Sequence, residues 1–179
     1  HSAIFANGHS FTATNVTRGS GSRQVHVFAG SIGASANLAF NAPAGNAARI
    51  TLNNCEFGNI YAGGVADGFT GNTEVTLRNC KTIGTVYGSG AEEVPPDNNW
   101  FDITEPAPPQ ANTAYTAGNV AVSVDGSAAM MIDGAGAQQM DVTITAADSK
   151  ALSFDNVNTV TVDGVAAKFT SINEAAAVT

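Results

Sequence analysis

Residues 59 to 90 read NIYAGGVADGFTGNTEVTLRNCKTIGTVYGSG, and the stretch nearly says the same thing twice. Asn59-Ile60-Tyr61-Ala62-Gly63-Gly64 returns as Thr85-Val86-Tyr87-Gly88-Ser89-Gly90. Just upstream, Ile50-Thr51-Leu52-Asn53-Asn54-Cys55 returns as Val75-Thr76-Leu77-Arg78-Asn79-Cys80, an interval of 25 residues. Tyr61 to Tyr87 is 26, which implies one extra residue between the two phrases. Internal repeats of this length are the mark of stacked supersecondary units.

Further short runs alternate apolar and polar residues: Gln24–Phe28, Val120–Val124, Val142–Ile144 and Val160–Val162. Each ends near Gly, Asn or Asp, as short strands do. Three such strands with turns use roughly 22–26 residues, one coil of a parallel β-solenoid. The expected fold is therefore all-β, a right-handed parallel β-helix spanning residues 1–179 as one module of a longer protein. In it Leu52 and Leu77 stack inward, Cys55 lies beside Cys80, and Asn54 and Asn79 stack at a corner that needs left-handed backbone. Gly63-Gly64 and Gly88-Ser89-Gly90 mark a second corner. An antiparallel β-sandwich also uses many short strands, but it has no reason to repeat Asn-Cys and Tyr-Gly phrases in step.

Composition agrees with a β protein and removes several functions. Of 179 residues, 44% are hydrophobic and only 12% charged, with 19 glycines. The net charge of −8 argues against nucleic acid, which calls for clustered Lys and Arg. No apolar run is long enough to embed the chain in a membrane. Starting at His1-Ser2, the sequence reads as a mature or excised fragment.

Ile60-Tyr61-Ala62-Gly63-Gly64, Thr73-Glu74-Val75-Thr76-Leu77 and Gly84-Thr85-Val86-Tyr87-Gly88-Ser89-Gly90 resemble the repeated Val-Tyr-Gly-Gly-Gly phrases of large bacterial cell-surface proteins of adhesin type. Ala62 and Ser89 stand where those repeats carry Gly. The resemblance covers residues 25 to 90 best. It implies a β-helix that is secreted and displayed on the cell surface as a monomeric part of a larger polypeptide. Its motifs specify coil geometry and transfer no catalytic residue.

Ala91 to Asn119 breaks the pattern with five of the six prolines and the only Trp, and reads as an insertion extruded between coils. Asp97, Trp100, Phe101, Asp102 and Tyr115 make it the candidate recognition element. Aromatic faces and nearby carboxylates suit a glycan or a surface protein. No Lys or Arg lies between Lys81 and Lys150, whereas enzymes that cleave acidic polysaccharides need basic residues. A lyase or glycoside hydrolase, which would use paired carboxylates, is the alternative reading. The two cysteines have no zinc spacing and read as buried thiols. His1, His9 and His26 read as solvent-facing, and Asp125-Gly126, Asp133-Gly134 and Asp163-Gly164 as strand-ending turns. No metal, cofactor or catalytic residue is expected.

Overall fold

A computed structural model describes residues 2–19, 24–32, 47–66, 71–81, 83–93, 108–127, 130–147, 151–167 and 176–177. In chain order the first strands are β1 (Ser2–Phe5), β2 (Ser10–Thr14), β3 (Val25–Phe28), β4 (Ala47–Asn53), β5 (Ile60–Tyr61), β6 (Asn72–Arg78) and β7 (Thr85–Tyr87). There follow β8 (Ser89–Ala91), β9 (Ala111–Asp125), β10 (Met130–Asp133), β11 (Ala137–Thr145), β12 (Leu152–Asp155), β13 (Thr159–Val162), β14 (Val165–Ala166) and β15 (Ala176–Ala177). They form two sheets. Sheet A runs β1-β3-β5-β7-β10-β12-β15, and sheet B runs β14-β13-β11-β9-β6-β4-β2 with β8 attached to β9.

The alternation in the sequence explains the core. On sheet A, Ile4, Val27, Ile60, Val86, Ile132 and Phe154 stand in one register row. On sheet B, Ala13, Leu52, Leu77, Val124, Ile144 and Val162 form another, and Phe11, Ile50, Val75, Val122, Val142 and Val160 a third. These rows meet between the sheets in one apolar cluster. Leu52 and Leu77 are direct neighbours and fully buried, as the repeat predicts. Burial of each such side chain contributes about 1.5–3 kcal/mol.

The Asn corner is also present. Asn15, Asn54 and Asn79 end β2, β4 and β6 at φ of 58°, 51° and 52°, and Gly126 and Ala146 take the same place after β9 and β11 at 59° and 50°. Asn tolerates this region through its short polar side chain. Each of Asn15, Asn54 and Asn79 donates its backbone N–H to the next strand's carbonyl, so the ladder continues around the bend.

The right-handed β-helix of regular three-strand coils is not what these strands build. Successive partners are 39, 25, 47, 20 and 18 residues apart in the Phe11–Val160 row and 23, 33, 26, 46 and 22 apart in the Ile4–Phe154 row, so the spacing is not that of a constant coil. No third sheet closes the molecule among the described residues. Where it would lie there are two isolated bridges, Ile32 with Val65 and Val65 with Ala91. Sheet B is mixed: β13 and β14 are antiparallel, as are β8 and β9, and β12 pairs antiparallel with β15 in sheet A. The causes are local. Asp163 and Gly164, at φ of 47° and 81°, make a tight hairpin turn that reverses the chain. At Gly63 and Gly90 the backbones approach so closely that a Cβ on either would collide with the other turn's main chain. These glycines serve close approach, since neither has positive φ.

Candidate functional site

Of the residues expected to carry recognition, Asp97, Trp100, Phe101 and Asp102 lie outside the described residues. Tyr115 is half-buried within β9. The first part of that strand pairs antiparallel with β8, joining Gly90 to Asn112 and Ala91 to Ala111. The ladder therefore resumes at Ala111, inside the segment expected to be wholly extruded. Its weak strand formers are recruited by a partner edge rather than by their own propensity.

The foot of that segment is anchored by an aromatic stack. Phe5, Phe28, Tyr61 and Tyr87 occupy one register row on the side of sheet A away from the core. Their ring centroids are 5.1, 4.3 and 5.1 Å apart in turn, with interplanar angles of 19°, 7° and 19°. The Tyr61 hydroxyl donates to the Pro109 carbonyl and accepts from Asn59 Nδ2 at 3.0 Å. Burial pushes the Tyr61 hydroxyl well above its ordinary pKa. Phe28 and Tyr61 are fully covered, so neither ring is a platform for a sugar.

His26 belongs to this layer and corrects the expectation that it faces solvent. It points away from the core, as alternation requires, but that side is also covered and the residue is fully buried. Its Nδ1 accepts the Asn59 backbone N–H at 2.9 Å, and its ring meets Tyr61 edge-on. A sheet buried on both faces hides its polar residues from a reading based on alternation alone.

The open polar surface is the outer face of sheet B. Across it runs the row Arg49, Glu74, Ala121, Asp141, Thr159. Ala121 is the short side chain in that row, and its gap opens a depression of about 210 Å³. Glu74 and Asp141 flank it, with Asn72 and Asn119 at one end. Arg49 Nε donates to Glu74 Oε2 at 2.7 Å, and the pair is about half exposed. That pairing, through the carboxylate's hydrogen bond first and its charge second, holds the Arg49 guanidinium above its ordinary pKa. Asp141 accepts from Gln139 Nε2 at 2.6 Å and from the Thr159 hydroxyl. Asn72 Oδ1 accepts the Asn119 N–H at 3.0 Å. The walls are thus oriented by their own hydrogen bonds.

Beside this row lies Thr12, Thr51, Thr76, Ser123, Thr143 and Thr161, one hydroxyl residue per strand across six strands. The sequence carried a trace of it in the outward Thr of Ile50-Thr51-Leu52 and Val75-Thr76-Leu77. The depression left no such trace, because its residues are brought together from four strands spread over residues 47 to 141.

The cysteines are free and buried. Cys55 Sγ donates to the Asn53 carbonyl at 3.1 Å, and Cys80 Sγ to that of Leu52 at 3.4 Å. Burial raises the Cys80 pKa, which keeps the thiol protonated. Among the described residues no three His, Cys, Asp or Glu side chains gather where they would hold a metal ion. Nor, among them, is any helix long and apolar enough to cross a membrane. No protein-family model, curated protein or solved structure matches this chain.

Proposed function

We propose that the chain is a noncatalytic structural and adhesive module of a bacterial surface or secreted protein, contacting glycan or protein through the segment within residues 91–119. The observation that carries this reading is the way the segment leaves and rejoins the sheets. It departs after β8 and returns through the Pro109 carbonyl and the β8–β9 pairing, so both ends are fixed on a continuous core. Binding residues held by a rigid scaffold lose little entropy on contact. The likeness of the Tyr-Gly phrases to adhesin-type surface proteins points the same way.

Replacing residues 94–107 by a short Gly-Ser linker tests it. The strand spectrum should persist, because loop length changes stability only logarithmically. Retention on immobilised glycans and surface proteins should fall, and Trp100→Ala alone should weaken it. Unchanged retention in both variants would refute the assigned role of the segment. The rival, a polysaccharide-degrading enzyme, predicts release of reducing ends or unsaturated products from soluble polysaccharides. Any turnover that exceeds a heat-inactivated control would overturn the noncatalytic reading.

A further inference from the structure

We infer that the outer face of sheet B is a second binding surface, a track for an extended, uncharged polysaccharide lying across the strands. The geometry of two adjacent rows points to it. Thr12, Thr51, Thr76, Ser123, Thr143 and Thr161 present one hydroxyl per strand, repeated at about the 4.8 Å spacing of neighbouring strands. Each hydroxyl donates one hydrogen bond and accepts two, matching the mixed donors and acceptors of sugar hydroxyls. Thr also sets a methyl group beside its hydroxyl and is stiff at χ1, so the row presents polar and apolar atoms in fixed alternation. A polymer whose units repeat at nearly the strand spacing meets the same contact on every rung.

The depression next to the row supplies a fixed point along this track. At about 210 Å³ it is smaller than a drug-sized pocket and suits a single sugar ring over the Ala121 floor. Asn72, Asn119, Glu74 and Asp141 stand around that floor with amide and carboxylate groups, the usual partners of ring hydroxyls. The α-carbons of Glu74 and Asp141 are roughly 10 Å apart, two strand spacings across β9.

Charge and polarity select among occupants. The chain carries −8, and Asp141 adds a carboxylate at the depression beside the Arg49-paired Glu74, a balance that disfavours nucleic acid and acidic polysaccharides. A protein partner would seek a large apolar anchor. Among the described residues the exposed large apolar ones, Val16, Ile32 and Val165, lie in neither row. A neutral, hydroxyl-rich chain is the occupant whose chemistry the face complements.

The test uses the full chain in native affinity electrophoresis, in gels cast with a soluble mixed-linkage β-glucan, a galactomannan or a neutral xylan, and with polygalacturonate as the acidic control. The wild-type protein should be retarded by at least one neutral polymer and not by polygalacturonate. Ala121→Trp fills the depression from an exposed position and should weaken retardation at least tenfold. The triple variant Thr76→Val, Ser123→Val, Thr143→Val keeps the strand-forming shape, removes three hydroxyls, and should do the same. Circular dichroism should show both variants folded. Replacement of residues 94–107 should leave retardation by the neutral polymer intact, which separates this surface from the loop. Wild-type mobility unaffected by all three neutral polymers would overturn the inference while leaving the loop's role standing. Retardation that survives both face variants, or disappears only with the loop, would overturn it equally.

Discussion

Tyr61→Phe isolates one hydroxyl and asks how firmly the segment after residue 107 is tied to sheet A. The substituted ring would keep the stack with Phe28 and Tyr87, so apolar burial is nearly unchanged. What disappears is a donor to the Pro109 carbonyl and an acceptor for Asn59 Nδ2. Pro109 is buried and Asn59 is 7% exposed, so water replaces neither partner easily. An orphaned buried carbonyl costs roughly 1–3 kcal/mol and a lost amide contact about 0.5–1.5 kcal/mol, giving an expected loss of about 1.5–4.5 kcal/mol. Urea unfolding followed by circular dichroism measures it, with the slope held common between variants. Hydrogen exchange should also quicken across 111–116, the strand that follows Pro109. Burial raises the Tyr61 pKa above its ordinary value of 10.0. The contribution is therefore complete below about pH 10 and declines as pH climbs toward the folded-state value. The alkaline decline should be shallower in the variant. A loss under about 0.5 kcal/mol with unchanged exchange at 111–116 would refute the anchoring argument.

Three other substitutions probe separate features. Leu77→Ala should lose about 2–5 kcal/mol in the same urea assay, since Leu77 is fully enclosed between Leu52 and Val124. Gly90→Ala drives a Cβ into the Gly64 carbonyl and should cost at least the roughly 1–3 kcal/mol typical of overpacking; a neutral melt would mean the turns are not in contact. Ala146→Gly should raise stability by about 1 kcal/mol, because Ala146 sits at φ 50° where Asn or Gly serves the other corners.

Neighbours and facing are legible in the sequence where two segments repeat without interruption. Ile50, Leu52, Val75 and Leu77 point inward, and Asn54 and Asn79 take the left-handed corner, because β4 and β6 are joined by that one clean 25-residue interval. At other pairs of sheet B the partner is reached across 39 or 47 residues, or as few as 18, and a fixed period cannot register it. Two antiparallel ends and β8 depend on which edge is free after the core has formed, a tertiary fact. Alternation misplaces His26 because it distinguishes the two faces of a strand but does not say that both are covered. The depression around Ala121 is invisible for a similar reason: its shape comes from a methyl group standing between the longer Glu74 and Asp141, neighbours that no local motif brings together.

Strand order has a mechanical consequence. In sheet A the strand nearest the N-terminus, β1, lies at one edge and β15 at the other, with the hydrogen bonds running from edge to edge. Tension applied between these two strands pulls along those bonds and loads every strand interface in series, so the weakest interface opens first and the sheet peels apart strand by strand. The molecule would lengthen in steps under force instead of yielding at once. Each step is set by the chain stored between consecutive partners. At roughly 3.3–3.6 Å per residue, the 26 residues from Ile60 to Val86 release on the order of 90 Å. An optical-trap record should show unequal increments that follow the unequal intervals, and a single rupture to full contour length would rule out peeling. Staged extension of this kind would dissipate a sudden pull between the two ends of the sheet.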